Sequence, residues 1–321
     1  MPPPHLHILD GFAGKDRRSL SRAITLAERE APGFPELYDD LHGRMGGAAR
    51  LGITGPPGAG KSTLLSALIR EYRGRDQDVA VVAVDPTSPF SGGALLGDRV
   101  RMQEHVLDPK VYIRSMATRG ALGGLARRTH EVVDLLDAFG FDRILLETVG
   151  VGQSEHDILS EADLVLVVLH PGAGDSVQAL KAGLTELADL FVINKADQPG
   201  ADRLEKDLRE MLELRFRDHG RNVPILRSVA TRGDGVPELL AAIEDKLSDL
   251  QSKGELQRRR EGRRASQVRR ILEQQVHQEL FGSDDEGGLV SAEQLSDVTL
   301  PPYSQARRLL QELWTAKGDH R

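Results

Sequence analysis

Gly55-Pro56-Pro57-Gly58-Ala59-Gly60-Lys61-Ser62 follows the apolar run Leu51-Gly52-Ile53-Thr54 and leads into a helical pattern over 63–71. Glycines let a backbone wrap around an anion so that its N–H groups point inward, and a helix N-terminus adds partial positive charge. This spacing, between a strand and a helix, predicts a phosphate-binding loop. Gly55, Pro56, Pro57, Gly58, Ala59, Gly60, Lys61, Ser62 and Thr63 are its expected lining. Lys61 is expected to reach the β- and γ-phosphates of a nucleotide, and the Ser62 hydroxyl to bind magnesium.

Outward from this loop, residues 49–250 alternate short apolar runs with helical patterns. Strands are expected at 50–54, 79–84, 111–114, 143–147, 164–169, 190–194 and 223–227. Near-continuous apolar strands between helices mean a sheet buried on both faces, hence mostly parallel. The expected fold is α/β, a P-loop NTPase with a mostly parallel sheet between helices and helical extensions at both ends. Residues 1–48 read as a helical lead-in, with Arg18, Leu20, Ile24 and Leu26 in an amphipathic run ending at Pro32-Gly33. Residues 251–321 read as a polar, charged helical extension broken at Pro301-Pro302.

Composition narrows the function. With 39% hydrophobic residues in 321 the chain can bury a core, and a net charge of −7 argues against a protein that coats nucleic acid. There is no cysteine, which removes disulfides and thiolate metal sites. No apolar run of about 18 residues suggests a membrane span. The amino terminus has neither a basic nor an apolar leader region, so the cytoplasm, or an equivalent lumen reached after cleavage of an unseen leader, is the expected compartment.

Three further stretches carry chemistry. Asn194-Lys195-Ala196-Asp197 closes the run 190–193. A carboxylate accepts two parallel hydrogen bonds, and guanine offers N1–H and N2–H₂ as such a pair. Asp197 is therefore expected to select guanine, Asn194 to tie its loop to the phosphate loop, and the Lys195 stem to lie along the base. Glu147-Thr148-Val149-Gly150-Val151-Gly152-Gln153 follows the run Ile144-Leu145-Leu146. An acid at this strand end suits magnesium, and Gly150 can present its N–H to a γ-phosphate and release it on hydrolysis. The stretch Asp85-Pro86-Thr87-Ser88-Pro89-Phe90-Ser91-Gly92-Gly93-Ala94-Leu95-Leu96-Gly97-Asp98-Arg99 reads as a nucleotide-sensing loop, with Asp85 and Asp98 as candidate magnesium-shell ligands. Together these predict a GTPase that binds GTP or GDP with Mg²⁺.

A resemblance sharpens this. Asp85-Pro86-Thr87-Ser88-Pro89-Phe90-Ser91-Gly92-Gly93, Gly97-Asp98-Arg99, Arg119-Gly120-Ala121-Leu122-Gly123-Gly124, Glu147 to Glu155, Pro171-Gly172-Ala173-Gly174-Asp175, Lys181-Ala182-Gly183 and Ala188 to Asp197 resemble the MeaB/ArgK family of GTPases associated with methylmalonyl-CoA mutase. The lead-in Asp16 to Leu26 fits as well. The resemblance spans about 11–250. It implies a homodimer that binds an adenosylcobalamin-dependent acyl-CoA mutase, gates delivery of its cofactor and protects it, using GTP hydrolysis. It places Ser62, Asp98 and Glu147 around magnesium with Asp85 nearby, and Gln153 in the second switch, a catalytic candidate beside Lys61 and Gly150. Where relatives usually read Thr/Ser-Ser-Ala, this chain has Ser228-Val229-Ala230. The Ala230 N–H is still expected to contact guanine O6, since a backbone donor needs no particular side chain.

Three questions stay open from sequence. The alternative activity is a GTP-dependent kinase acting on transport binding proteins, and a third reading is an assembly module that binds nucleotide without turnover. The sequence shows no obvious arginine finger; Arg99 and Arg119 are candidates for one. The basic run Arg258-Arg259-Arg260, Arg263-Arg264 and Arg269-Arg270, with Val268, Ile271, Leu272 and Val276, reads as a dimerisation helix or as a solvated helix face.

Overall fold

The computed structural model describes residues 6–86, 102–118, 126–148, 160–172, 185–216, 223–283, 286–296 and 301–318. Helices α1 (Leu6–Ala13), α2 (Arg17–Glu28) and α3 (Phe34–Leu41) precede β1 (Ala49–Thr54) and α4 (Lys61–Gly74). There follow β2 (Val79–Pro86), β3 (Val111–Thr118), α5 (Ala126–Phe139), β4 (Arg143–Thr148), β5 (Leu164–Leu169) and β6 (Leu190–Ile193). The chain continues through α6 (Ala201–Phe216), β7 (Ile225–Arg227), α7 (Val236–Ser252) and α8 (Glu255–Phe281).

Seven strands form one sheet in the order β3-β2-β4-β1-β5-β6-β7, every pairing parallel. The expected architecture is the observed one. Alternate strand residues enter two cores, because successive side chains leave a strand on opposite faces. Val79, Val81, Leu145, Leu164, Leu166, Val168, Leu190 and Val192 meet α4 and α7 through Leu64, Leu68, Leu239 and Ile243. Ala80, Val82, Ile144, Leu146, Val165, Val167 and Phe191 face the other way, onto Val132 and Leu136 of α5 and Leu208 of α6.

The first helices share this second core: Phe12, Leu20, Ile24, Leu37 and Leu41 are buried in it. Phe12 meets Phe139 edge-on at 5.4 Å between ring centroids. Asp16 caps α2 by accepting the Arg18 and Ser19 N–H groups, and its hydrogen bonds from the Ser19 hydroxyl and these amides hold its carboxyl below the usual range. Arg114 of β3 reaches Glu28 at the end of α2, Nε to Oε1 3.1 Å.

Two compact units divide the chain, Met1–Arg259 and Arg260–Arg321. The second holds the greater part of α8, a hairpin of β8 (Gly282–Ser283) and β9 (Glu286–Gly287), α9 (Ala292–Leu295) and α10 (Pro302–Gly318). Val268, Ile271, Leu272 and Val276 are exposed on α8. In the first unit Arg259 grips buried Asp189 with both terminal guanidinium nitrogens, Nη1 at 2.8 Å and Nη2 at 2.9 Å. Among the described residues no helix is long and apolar enough to cross a membrane.

Candidate nucleotide site

β1 lies at the middle of the sheet, where successive connections leave in opposite directions, and ligands of open α/β sheets bind beyond the carboxyl ends of strands at such a point. The loop between β1 and α4 begins at Gly55, with φ +144°. A Cβ there would lie 2.0 Å from the Val168 carbonyl oxygen of β5, so only glycine admits this close approach. At Gly60 a Cβ would come within 2.5 Å of Asn194 Nδ2.

Lys61 is buried at the first turn of α4, and its Nζ donates to the carbonyls of Gly55 (2.8 Å) and Pro56 (3.2 Å). The next residue, Ser62, donates its hydroxyl to Glu147 Oε1 at 2.7 Å. Glu147 sits next to last in β4, in register with Ile53 of β1, which brings the carboxylate beside the loop. These residues, with Pro57, Gly58, Gly60, Thr63, Val84, Thr148 and Lys195, line a cavity of about 440 Å³. That volume suits a small ligand. The buried Thr148 hydroxyl has no hydrogen-bond partner among the described residues, a costly state for an oxygen shut off from water.

The turn after β6 completes the edge. Asn194 Nδ2 donates to the Ala59 carbonyl at 2.8 Å, tying this turn to the phosphate loop. With Nδ2 so committed, Oδ1 faces the next loop and accepts the Ser228 hydroxyl (3.2 Å) and the Ala230 N–H (3.1 Å). The Ala230 N–H expected at a guanine oxygen is therefore held by Asn194 in this structure. Lys195 takes a left-handed φ of +56°, and Asp197 lies beyond it with a partly exposed carboxylate. Val229 bridges Asp234 through its N–H and closes the turn that follows.

The structure thus brings Gly55 to Thr63, Glu147, Asn194, Lys195, Asp197 and Ser228 to Ala230 to one edge of the sheet. Asp85 reaches the same edge at the end of β2, in register with Ala117 of β3. Asp98, Gly150 and Gln153, and the arginine-finger candidates Arg99 and Arg119, lie outside the described residues. Sequence reading missed Thr148, and also Arg232, whose Nη1 stands 3.5 Å from Asp197 Oδ2. It missed His170 after β5, whose Nε2 would lie 3.9 Å from a Cβ on Gly58. The Thr-Arg-Gly-Asp-Gly run at 231–235 marks a turn, but nothing in it shows that the arginine faces Asp197.

A ligand that combined a chain of phosphates with a flat, hydrogen-bonding base would use both the Lys61 cradle and the Asp197 turn, and fold and site together define a P-loop GTPase. Known proteins agree. The model of the family "Methylmalonyl Co-A mutase-associated GTPase MeaB" matches residues 20–285. A putative GTPase of Pyrococcus abyssi is 46% identical over 302 residues, covering 93% of each chain. The GTPase ArgK of Escherichia coli is 37% identical over 283 residues, 84% of each chain. A solved structure, described as a LAO/AO transport system kinase, superposes with a TM-score of 0.70 at 28% identity over 97% of both chains. The chain belongs to the MeaB family of GTPases.

Proposed function

We propose that this chain is a magnesium-dependent GTPase that serves an adenosylcobalamin-dependent acyl-CoA mutase of the methylmalonyl-CoA type, gating cofactor loading and protecting the mutase. The observation that carries the hydrolytic half is the pairing of Ser62 with Glu147 beside Lys61, hydroxyl to carboxylate at 2.7 Å. Adjacent oxygens of an octahedral magnesium lie about 3.0 Å apart for metal–oxygen distances of about 2.1 Å. A hydroxyl and a carboxylate so spaced are a fitting donor pair, and Asp85 and Asp98 would complement them. The ion would draw charge from phosphate oxygens as the γ-phosphoryl group leaves.

In this reading the amides of Gly55 to Thr63 bind the phosphates, and Lys61 neutralises the β/γ oxygens. Asn194, Lys195, Asp197 and the Ser228-Val229-Ala230 loop hold guanine. Gly150 and Gln153 sense and assist hydrolysis. The mutase half rests on the family, whose description names that association. The exposed apolar residues of α8 support a homodimer built through the extension 251–321. The cytoplasm is the proposed compartment.

The test is phosphate release by the purified chain, alone and with an adenosylcobalamin-dependent acyl-CoA mutase. Stimulation is the expected result, and turnover indifferent to such mutases removes the chaperone role. The resemblance to a transport system kinase favours one second reading, transfer of the γ-phosphoryl group to a protein. Label from γ-³²P-GTP remaining on protein, instead of appearing as free phosphate, would select it.

A further inference from the structure

Arg232 has no part in the reading above, yet it stands over the carboxylate on which base choice depends. We infer that Arg232 is a positioning residue for guanine recognition: it fixes the plane in which Asp197 presents its two oxygens. This deepens the proposed role of Asp197 and rests on it.

The geometry is that of a fork pinned at one tine. Arg232 Nε donates to Asp234 Oδ2 at 2.7 Å, while Nη1 lies 3.5 Å from Asp197 Oδ2. A guanidinium is planar, so an anchor at Nε sets the direction in which Nη1 reaches. The anchor is itself on a closed turn: the Val229 N–H donates to the Asp234 carbonyl at 2.9 Å, and the Arg232 and Gly233 N–H groups both donate to the Val229 carbonyl. That turn is stitched to the Asp197 turn three times. The Ala196 N–H donates to the Ser228 carbonyl (3.0 Å), and Asn194 Oδ1 accepts from Ser228 and Ala230. Arg232 and Asp197 therefore ride on one scaffold.

The chemistry needs such a constraint. The Asp197 side chain is 41% exposed, and among the described residues no other cation is paired with it. Guanine N1–H and N2–H₂ demand both oxygens in one plane. Each carboxylate oxygen has two lone pairs, so Oδ2 can accept from Arg232 and still accept from the base. The same contact offsets the repulsion between Asp197 and Asp234, both of which Arg232 touches.

The readout is the ratio of GDP to IDP affinity. Inosine lacks only the 2-amino group, so the ratio isolates the hydrogen bond made by the second oxygen. The full-length protein is titrated with GDP, IDP and XDP as wild type, R232A and R232K. R232A is expected to lower the GDP-to-IDP ratio about fivefold, the size of one exposed ion pair, with IDP affinity and melting temperature near wild type. R232K should recover part of the ratio at low salt. An unchanged ratio in R232A, or equal weakening of GDP and IDP, overturns the inference. A wild type that does not discriminate IDP and XDP from GDP instead overturns the assignment of Asp197, which separates the two failures. If R232A melts early, the ratio is read on the folded fraction and R232K decides alone, with full retention expected only for a purely structural charge.

Discussion

The two edges of the central sheet handle charge in opposite ways. At the amino-terminal edge Arg50 is buried and donates to Asp134 (2.7 Å) and Asp137 (3.0 Å). Burial works against its charge, but these two carboxylates outweigh that and raise its pKa. Asp137 also accepts the N–H groups of Gly46, Gly47 and Ala48, at 2.8 to 3.0 Å. Asp163 accepts the Arg50 N–H, His130 contacts Glu161, and Tyr38 donates to Asp134. Every one of these partners is another part of the fold. At the carboxyl edge, Lys61 rests on two carbonyls of its own loop and Ser62 on Glu147, and both open onto a cavity. One edge holds permanent pairs and the other exchangeable ones. The difference separates residues that keep the protein folded from residues that a ligand can recruit.

Substitutions at the two edges should therefore fail in different currencies. The largest effect belongs to Asp137→Ala, which takes from buried Arg50 one of its two hydrogen-bonded carboxylates and from three amides their acceptor. We expect a loss of about 3–5 kcal/mol and a fall in melting temperature on the order of 10 °C, with turnover per folded molecule unchanged. Calorimetry with an active-site titration checks it, and a stable but inactive variant would erase the contrast. Lys61→Ala should do the reverse, with phosphate release down about 100-fold or more and melting temperature within about 2 °C. Asp197→Asn sharpens the picture inside the carboxyl edge. GTP binding should weaken about 100-fold while xanthosine triphosphate improves, because the amide can donate to the oxygen that replaces the 2-amino group. Unaltered base preference would move the base elsewhere.

The smallest effect concerns a bridge between the regimes. His105 lies against α4, its Nε2 2.8 Å from the Ser66 hydroxyl, which donates to Glu104. Burial lowers its pKa most strongly; Arg70 lowers it too, while Glu104, the Ser66 carbonyl and Asp108 act in the opposite sense. With a folded value below the unfolded one of about 6.5, stability is complete above that pH and declines as pH falls through the lowered value. His105→Gln should flatten the melting profile as pH falls below about 6.5.

Much of this was legible in the sequence because parallel strands announce themselves. All seven apolar runs became strands. Their ends were less visible. β2 continues to Pro86 and β3 to Thr118, beyond the expected 84 and 114, because pairing of Asp85 with Ala117 and Pro86 with Thr118 extends the ladder through residues that read as loop. β7 begins at Ile225 and β6 ends at Ile193, one or two residues inside the expected bounds. The Asn194 tie to the phosphate loop followed from motif spacing. Arg259 did not: in a run of arginines nothing distinguishes the one that meets Asp189, which lies 70 positions away. The Arg50 cluster was hidden for the same reason, since its acids belong to α5 and to the approach to β5 and converge only in the fold.

Gly55 has a consequence for how the gene can drift. Its missing side chain is where the Val168 carbonyl passes, so the codon is frozen by a neighbouring strand, whatever ligand the loop serves. Gly43 and Gly74 face open space with ordinary backbone angles. A saturation library would return a single letter at the first site and many at the other two, even in a host that never asks the protein to turn over GTP.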